Sequence, residues 1–132
     1  MRVTVEFAWR SIGSLRHEDG RLRFPEVPEA PGIYRFDLGD RVYIGETDRL
    51  RRRFQHYRTP GVRQATNLRL NASMLQLLAE TNAIEVSTVT EAGVEIDGTL
   101  VPLDLRQKFA RLLVESAALT AALSVGQQVE NL

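Results

Sequence analysis

The sequence predicts an α+β domain built on a small antiparallel sheet, and three observations carry that expectation. Short alternating runs broken by turn dipeptides fill the first half of the chain, two later segments carry apolar residues at helical spacing, and 132 residues are enough for one core. Along the chain, Met1 to Trp9 alternates like a strand, and Leu15 to Phe24 with Asp19-Gly20 reads as a hairpin or turn. Pro25 to Pro31 reads as a rigid extended lead-in. Gly32 to Asp37 and Arg41 to Glu46 form a second hairpin around Leu38-Gly39-Asp40. Leu50, Phe54 and Tyr57 recur at i, i+4 and i+7, which predicts a helix over Arg49 to Arg58 capped by Thr47 or Asp48. A helix over Asn71 to Thr81 and a strand over Ile84 to Thr90 follow, and Asp97-Gly98 turns a third hairpin. The last helix is expected to run from Asp104 to about Leu123, with Asp104 and Gln107 resembling a capping box. Residues 1–30 are expected to form an N-terminal extension packed on the domain of residues 31–132.

Composition narrows the chemistry. With 43% hydrophobic and 26% charged residues the chain has the balance of a soluble globular protein, and no apolar run approaches the roughly 18 residues of a membrane span. A cytoplasmic protein without a membrane is the expectation. The absence of cysteine excludes disulfides, cysteine nucleophiles and thiolate metal sites, and His17 and His56 are too few for a histidine zinc site. Lys108 is the single lysine, so no Gly-Lys-Ser/Thr phosphate loop exists. The formal charge is zero, yet it is a cancellation. Residues 1–34 carry five Arg against five acids, 35–69 nine against four, and 70–132 three cations against eight acids. The middle third is therefore basic, and its cations are all arginine, whose planar fork suits phosphate.

Three side-chain groups stand out. A loop of two or four residues centred on Leu38-Gly39 would make hairpin partners sum to 77, placing Tyr34 opposite Tyr43 with Cβ atoms roughly 5 Å apart. The plain reading of that pair is a cross-strand aromatic contact in the core. On the next helix Arg53 and Tyr57 share a face beside the apolar stripe, while Arg49, Arg52 and His56 form a basic strip and Arg51, Gln55 and Arg58 a solvated side. Glu115 is the only acid between Leu105 and Val129, so a buried position would cost several kcal/mol without a partner. Either Arg111 at i−4 or a metal ion could be that partner.

The series Gly32-Ile33-Tyr34, Tyr43-Ile44-Gly45, Arg53, Tyr57, Glu115 and Asn131 resembles the GIY-YIG nucleases in order and spacing, over residues 31–131. The double tripeptide with its arginine is the specific part of the match; Glu115 and Asn131 match by position. The resemblance implies a three-stranded antiparallel sheet flanked by helices and a divalent-metal-dependent endonuclease hydrolysing nucleic acid, DNA ahead of RNA. Tyr34, Tyr43, Arg53, Tyr57 and Glu115 would be catalytic, with Tyr34 or Tyr43 as general base and Glu115 holding Mg²⁺ or Mn²⁺. Gly45, Arg49, Arg52 and His56 would contact substrate, and Asn131 would support the site. A phenol with an ordinary pKa near 10 serves as a base only with help from nearby positive charge, which Arg53 and the metal would supply. Glu46 stands where some members have lysine; its charge would weaken substrate attraction or join the metal shell. An inactive module of the same fold, binding nucleic acid or protein, is the alternative. No separate recognition module is evident, so substrate selection is expected to come from this domain itself, from an oligomer such as a homodimer, or from a targeting partner chain.

Overall fold

The architecture follows from three tight turns and from which strands they leave free to pair. In a computed structural model describing residues 1–130, the elements are β1 (Val3–Phe7), β2 (Arg10–Glu18), β3 (Arg21–Arg23), β4 (Gly32–Asp37), β5 (Arg41–Thr47), α1 (Leu50–Arg58), α2 (Ala65–Glu80), β6 (Ile84–Val89), β7 (Ala92–Ile96), β8 (Thr99–Pro102), α3 (Lys108–Ser124) and β9 (Gln128–Val129). Asp19-Gly20 and Asp97-Gly98 both adopt positive φ, the left-handed geometry that two-residue hairpins demand and that Asp and Gly tolerate.

The α+β fold class holds, with an antiparallel β6-β4-β5 sheet at its centre. That sheet is wider than three strands. The β2-β3 hairpin adds to the β6 side and β9 runs parallel to β5, giving the order β3-β2-β6-β4-β5-β9, while β1, β7 and β8 form a separate three-stranded ribbon. The first 23 residues thus supply strands to both sheets, through β2·β6 and β1·β7 pairing.

Helices cover both faces. Leu15, Leu22, Tyr34, Phe36, Tyr43, Ile84 and Val86 pack against α1 and α2 through Leu50, Phe54, Tyr57, Leu70 and Met74. On the other face Ile33, Val42, Ile44 and Val89 pack against Ala110, Val114, Ala118 and Ala122 of α3. Among the described residues no helix is long and apolar enough to cross a membrane.

Helix starts are where sequence reasoning misplaced the chain. Arg49, not Thr47 or Asp48, is the residue flanking α1; the Thr47 hydroxyl instead bridges the backbone N–H and carbonyl of Arg49. The helix is held by tertiary contacts, with Leu50 N–H donating to the Ala30 carbonyl at 2.9 Å. α2 begins six residues earlier than Asn71, because Gln64 organises the preceding turn through its side chain. α3 begins at Lys108 rather than Asp104: the Asp104 carboxylate accepts from Arg106 N–H and closes a separate turn ahead of the helix.

Candidate active site

The hairpin register sets the site. Partners in β4 and β5 sum to 79, not 77, because Gly39-Asp40 is the two-residue loop and Leu38 N–H bonds to the Arg41 carbonyl. Tyr34 therefore faces Gly45 across the strands, and Tyr43 faces Phe36. The shift of two preserves the face, so Tyr34 and Tyr43 remain diagonal neighbours with ring centroids 6.2 Å apart. It also explains the glycines. A Cβ on Gly45 would stand 2.5 Å from Cζ of Tyr34, whose ring lies over that backbone, and a Cβ on Gly32 would stand 2.5 Å from the Val89 carbonyl oxygen. Both are close approaches that only glycine allows.

α1 brings the third tyrosine. Tyr57 and Tyr34 share a hydroxyl hydrogen bond of 2.5 Å, and Tyr43 lies within hydrogen-bonding reach of both. Tyr34 and Tyr57 have no exposed surface; Tyr43 keeps 7%. The α1 end carrying Tyr57 is pinned from α2, where the Asn71 amide donates to the Tyr57 carbonyl at 2.6 Å. Half-buried Arg53 points its guanidinium at the Tyr34 and Tyr57 hydroxyls.

Burial governs the acidities. It pushes the Tyr34 phenol well above its ordinary value, with Tyr57 and Tyr43 adding to the shift and Arg53 opposing it. Tyr43 is raised for the same leading reason. The expectation that positive charge would make these phenols readily ionised is thus reversed in the free protein: desolvation outweighs Arg53. Arg53 itself is held more firmly protonated; burial pulls the other way, but Tyr34 and Tyr57 prevail.

Glu115 arrives from α3. It is half-buried, its carboxylate lies near the Glu46 backbone N–H, and it interacts electrostatically with Arg53, the guanidinium that faces the tyrosines. Burial, then the Glu46 charge, raises its pKa. Arg111 is not its partner. The Arg111 guanidinium reaches across to β5, donating to Glu46 at 2.7 Å and to the Leu105 and Arg106 carbonyls at 3.0 Å. Glu46 is therefore ion-paired inside the protein with Arg111, an outcome with no local signal because the two lie 65 residues apart. Arg111 and Asn71 are the site-supporting residues that sequence reasoning missed.

The remaining predicted residues separate. Arg49 and Arg52 are exposed on α1, with Arg52 paired to Asp48 at 2.7 Å, and His56 is half-buried. Gly45 lies beneath the Tyr34 ring. Arg51, Gln55 and Arg58 are exposed as expected, and Arg51 also donates to the Val27 carbonyl and to Glu29, fastening α1 to the proline-rich lead-in. Asn131 lies outside the described residues. A cavity of about 830 Å³ between the β2-β3 hairpin and the far side of α1 is lined by none of the tyrosines, Arg53 or Glu115.

The fold has a precedent among solved structures. A mutant of bacteriophage T4 EndoII superposes with a TM-score of 0.55 and 20% sequence identity, covering 87% of this chain and 86% of that one. The two chains share an α+β fold over nearly their full lengths. No family model matches the sequence, and no curated protein matches it.

Proposed function

We propose that the protein is a divalent-metal-dependent endonuclease of the GIY-YIG type, hydrolysing phosphodiester bonds of nucleic acid, with DNA as the first substrate class to test. The observation that carries this reading is the meeting of Tyr34, Tyr43, Arg53, Tyr57 and Glu115, drawn from β4, β5, α1 and α3, on a fold shared with T4 EndoII. A structural core of tyrosines accounts for the rings but not for a half-buried guanidinium turned toward their hydroxyls, nor for a half-buried carboxylate that interacts with that guanidinium.

The donor set fits a hard cation that keeps most of its own shell. No group of three acids or histidines gathers among the described residues, and Glu46 is taken by Arg111. Glu115 has no ion-pair partner within 4.0 Å among the described residues and would be the single protein ligand, which Mg²⁺ or Mn²⁺ accommodates with water and substrate oxygens. Bound there, the ion would polarise the phosphoryl group and stabilise the leaving oxygen. Arg53 would hold a phosphoryl oxygen as charge builds on it. Tyr43, the tyrosine with surface exposure, would take the proton of the attacking water, its oxygen held in place by Tyr34 and Tyr57.

The test is cleavage of plasmid DNA, branched DNA and RNA by the purified protein with Mg²⁺ or Mn²⁺. Arg53→Ala should cost about 10²–10³-fold in rate, and Glu115→Ala or chelation should abolish cleavage. Nicking that survives both substitutions overturns the reading. Metal-indifferent, salt-sensitive binding without cleavage would instead identify an inactive binding module. Because the phenol pKa is raised, the ionised base is scarce at neutral pH, and the rate should climb about tenfold per pH unit between about pH 7 and 9.

A further inference from the structure

We propose that the outward face of α3 is the interface of a homodimer in which two copies pair antiparallel about Ser116. The face is a stripe of Phe109, Leu112, Leu113, Ser116, Thr120 and Leu123, all exposed and all within about 100° of one another at helical spacing. Phe109 is 71% exposed, Leu123 49%, Leu112 42% and Leu113 40%. These four side chains leave roughly 400 Å² of apolar surface, as much as the largest patch on an ordinary monomer. With Ser116, Ala117, Thr120 and Ser124 between and beside them, the face comes near the roughly 600 Å² per partner at the low end of specific interfaces.

Two further observations separate this face from ordinary helix surface. From Phe109 to Val129 the sequence has only two charges, Arg111 and Glu115, and both lie off this face, Arg111 bonded to Glu46 and Glu115 interacting with Glu46 and Arg53. Thr120, the larger of the two hydroxyl residues in the stripe, donates its hydroxyl to the Ser116 carbonyl at 2.8 Å, so that its polar group is satisfied within the helix.

The order of residues indicates a second copy as the occupant. The stripe is symmetric about Ser116: Phe109 and Leu123 lie seven residues to either side, and Leu112 and Thr120 four. An antiparallel pair sets Phe109 of one copy on Leu123 of the partner subunit and the reverse, while the small Ser116 at the twofold axis lets the two backbones approach. A charge-free face is complementary to itself, whereas an acidic or basic partner would find nothing on it to recognise.

Sedimentation velocity or light scattering of the intact protein, up to about 100 µM, tests this. The wild type should run at twice the 14.9 kDa monomer mass. Ser116→Glu and Ser116→Lys, both surface changes, should each give monomers with unchanged circular dichroism, and mixing the two variants should restore the dimer. Leu113→Glu provides a second monomeric variant away from the axis. A monomeric wild type at the highest concentration, a dimer that survives these substitutions, or a mixture of the two Ser116 variants that stays monomeric overturns the proposal.

Discussion

The two faces of the β6-β4-β5 sheet solve the same burial problem with different materials. The face under α1 and α2 is aromatic, with Tyr34, Phe36, Tyr43, Phe54 and Tyr57 crowded at centroid distances of 5.3–6.4 Å. The face under α3 is aliphatic and small, with Ala110, Ala118 and Ala122 letting the helix lie close to Ile33, Val42 and Ile44. Three of the aromatic rings carry hydroxyls that cannot be buried without partners, so that face concentrates polar groups at one place. The alanine face does no chemistry of its own; by fixing how α3 sits, it sets where Glu115 arrives. One side gathers three phenol hydroxyls around Arg53, and the other sets a single carboxylate within electrostatic reach of that arginine.

The largest expected effect would break the delivering side. The Glu46 and Arg111 side chains are only 15% and 7% exposed, and Arg111 also serves two backbone carbonyls at the entrance to α3. Arg111→Ala should therefore cost about 3–5 kcal/mol in urea unfolding, because it strands a buried carboxylate. Pairing Arg111→Met with Glu46→Gln removes both charges and should recover most of that loss. A single-mutant cost below about 1 kcal/mol would mean the ion pair is a surface contact.

The aromatic side is probed by Gly45→Ala, which sets a methyl group against the Tyr34 ring. Overpacking of this kind costs about 1–3 kcal/mol. Because Tyr34 Oη is bonded to Tyr57, the same change should loosen that hydrogen bond, visible as altered tyrosine signals in ultraviolet difference spectra. Full stability with Gly45→Ala would show that the ring has room to move and that the register argument is wrong.

The same division decides what the sequence made legible. Tyr34, Tyr43, Arg53 and Tyr57 lie within 24 consecutive residues, joined by a hairpin and one helix, so periodicity alone put them on facing surfaces. Even the register error left the tyrosines on the correct face, since side chains alternate with period two. Turn chemistry was equally readable at Asp19-Gly20 and Asp97-Gly98. The α3 side was not. Glu115 stood out by isolation, but it meets Glu46 and Arg53 across more than 60 residues, and the nearby arginine at i−4 was the wrong partner. Helix starts failed for a related reason: Arg49 and Gln107 carry no side-chain cap, and the carbonyl of Ala30 holds the start of α1 instead.

The smallest expected effect lies where the two sides meet. Burial and the charge of Glu46 raise the Glu115 pKa, so the folded protein disfavours the carboxylate that the proposed reaction needs. A raised folded pKa gives stability that is fully present below the unfolded value near 4.3 and lost as pH rises through the folded one. Glu115→Gln removes the ionisation while keeping an oxygen for the Glu46 N–H. It should match wild-type stability near pH 4 and exceed it at pH 7, by about 1–2 °C in Tm once the group's partial exposure is allowed for. The same variant should have lost cleavage. A stability gain bought at the cost of function marks a residue kept for chemistry rather than for the fold. If Glu115→Gln instead melts lower at pH 7, the Arg53 charge outweighs burial and Glu46, and the carboxylate is a strut between α3 and α1.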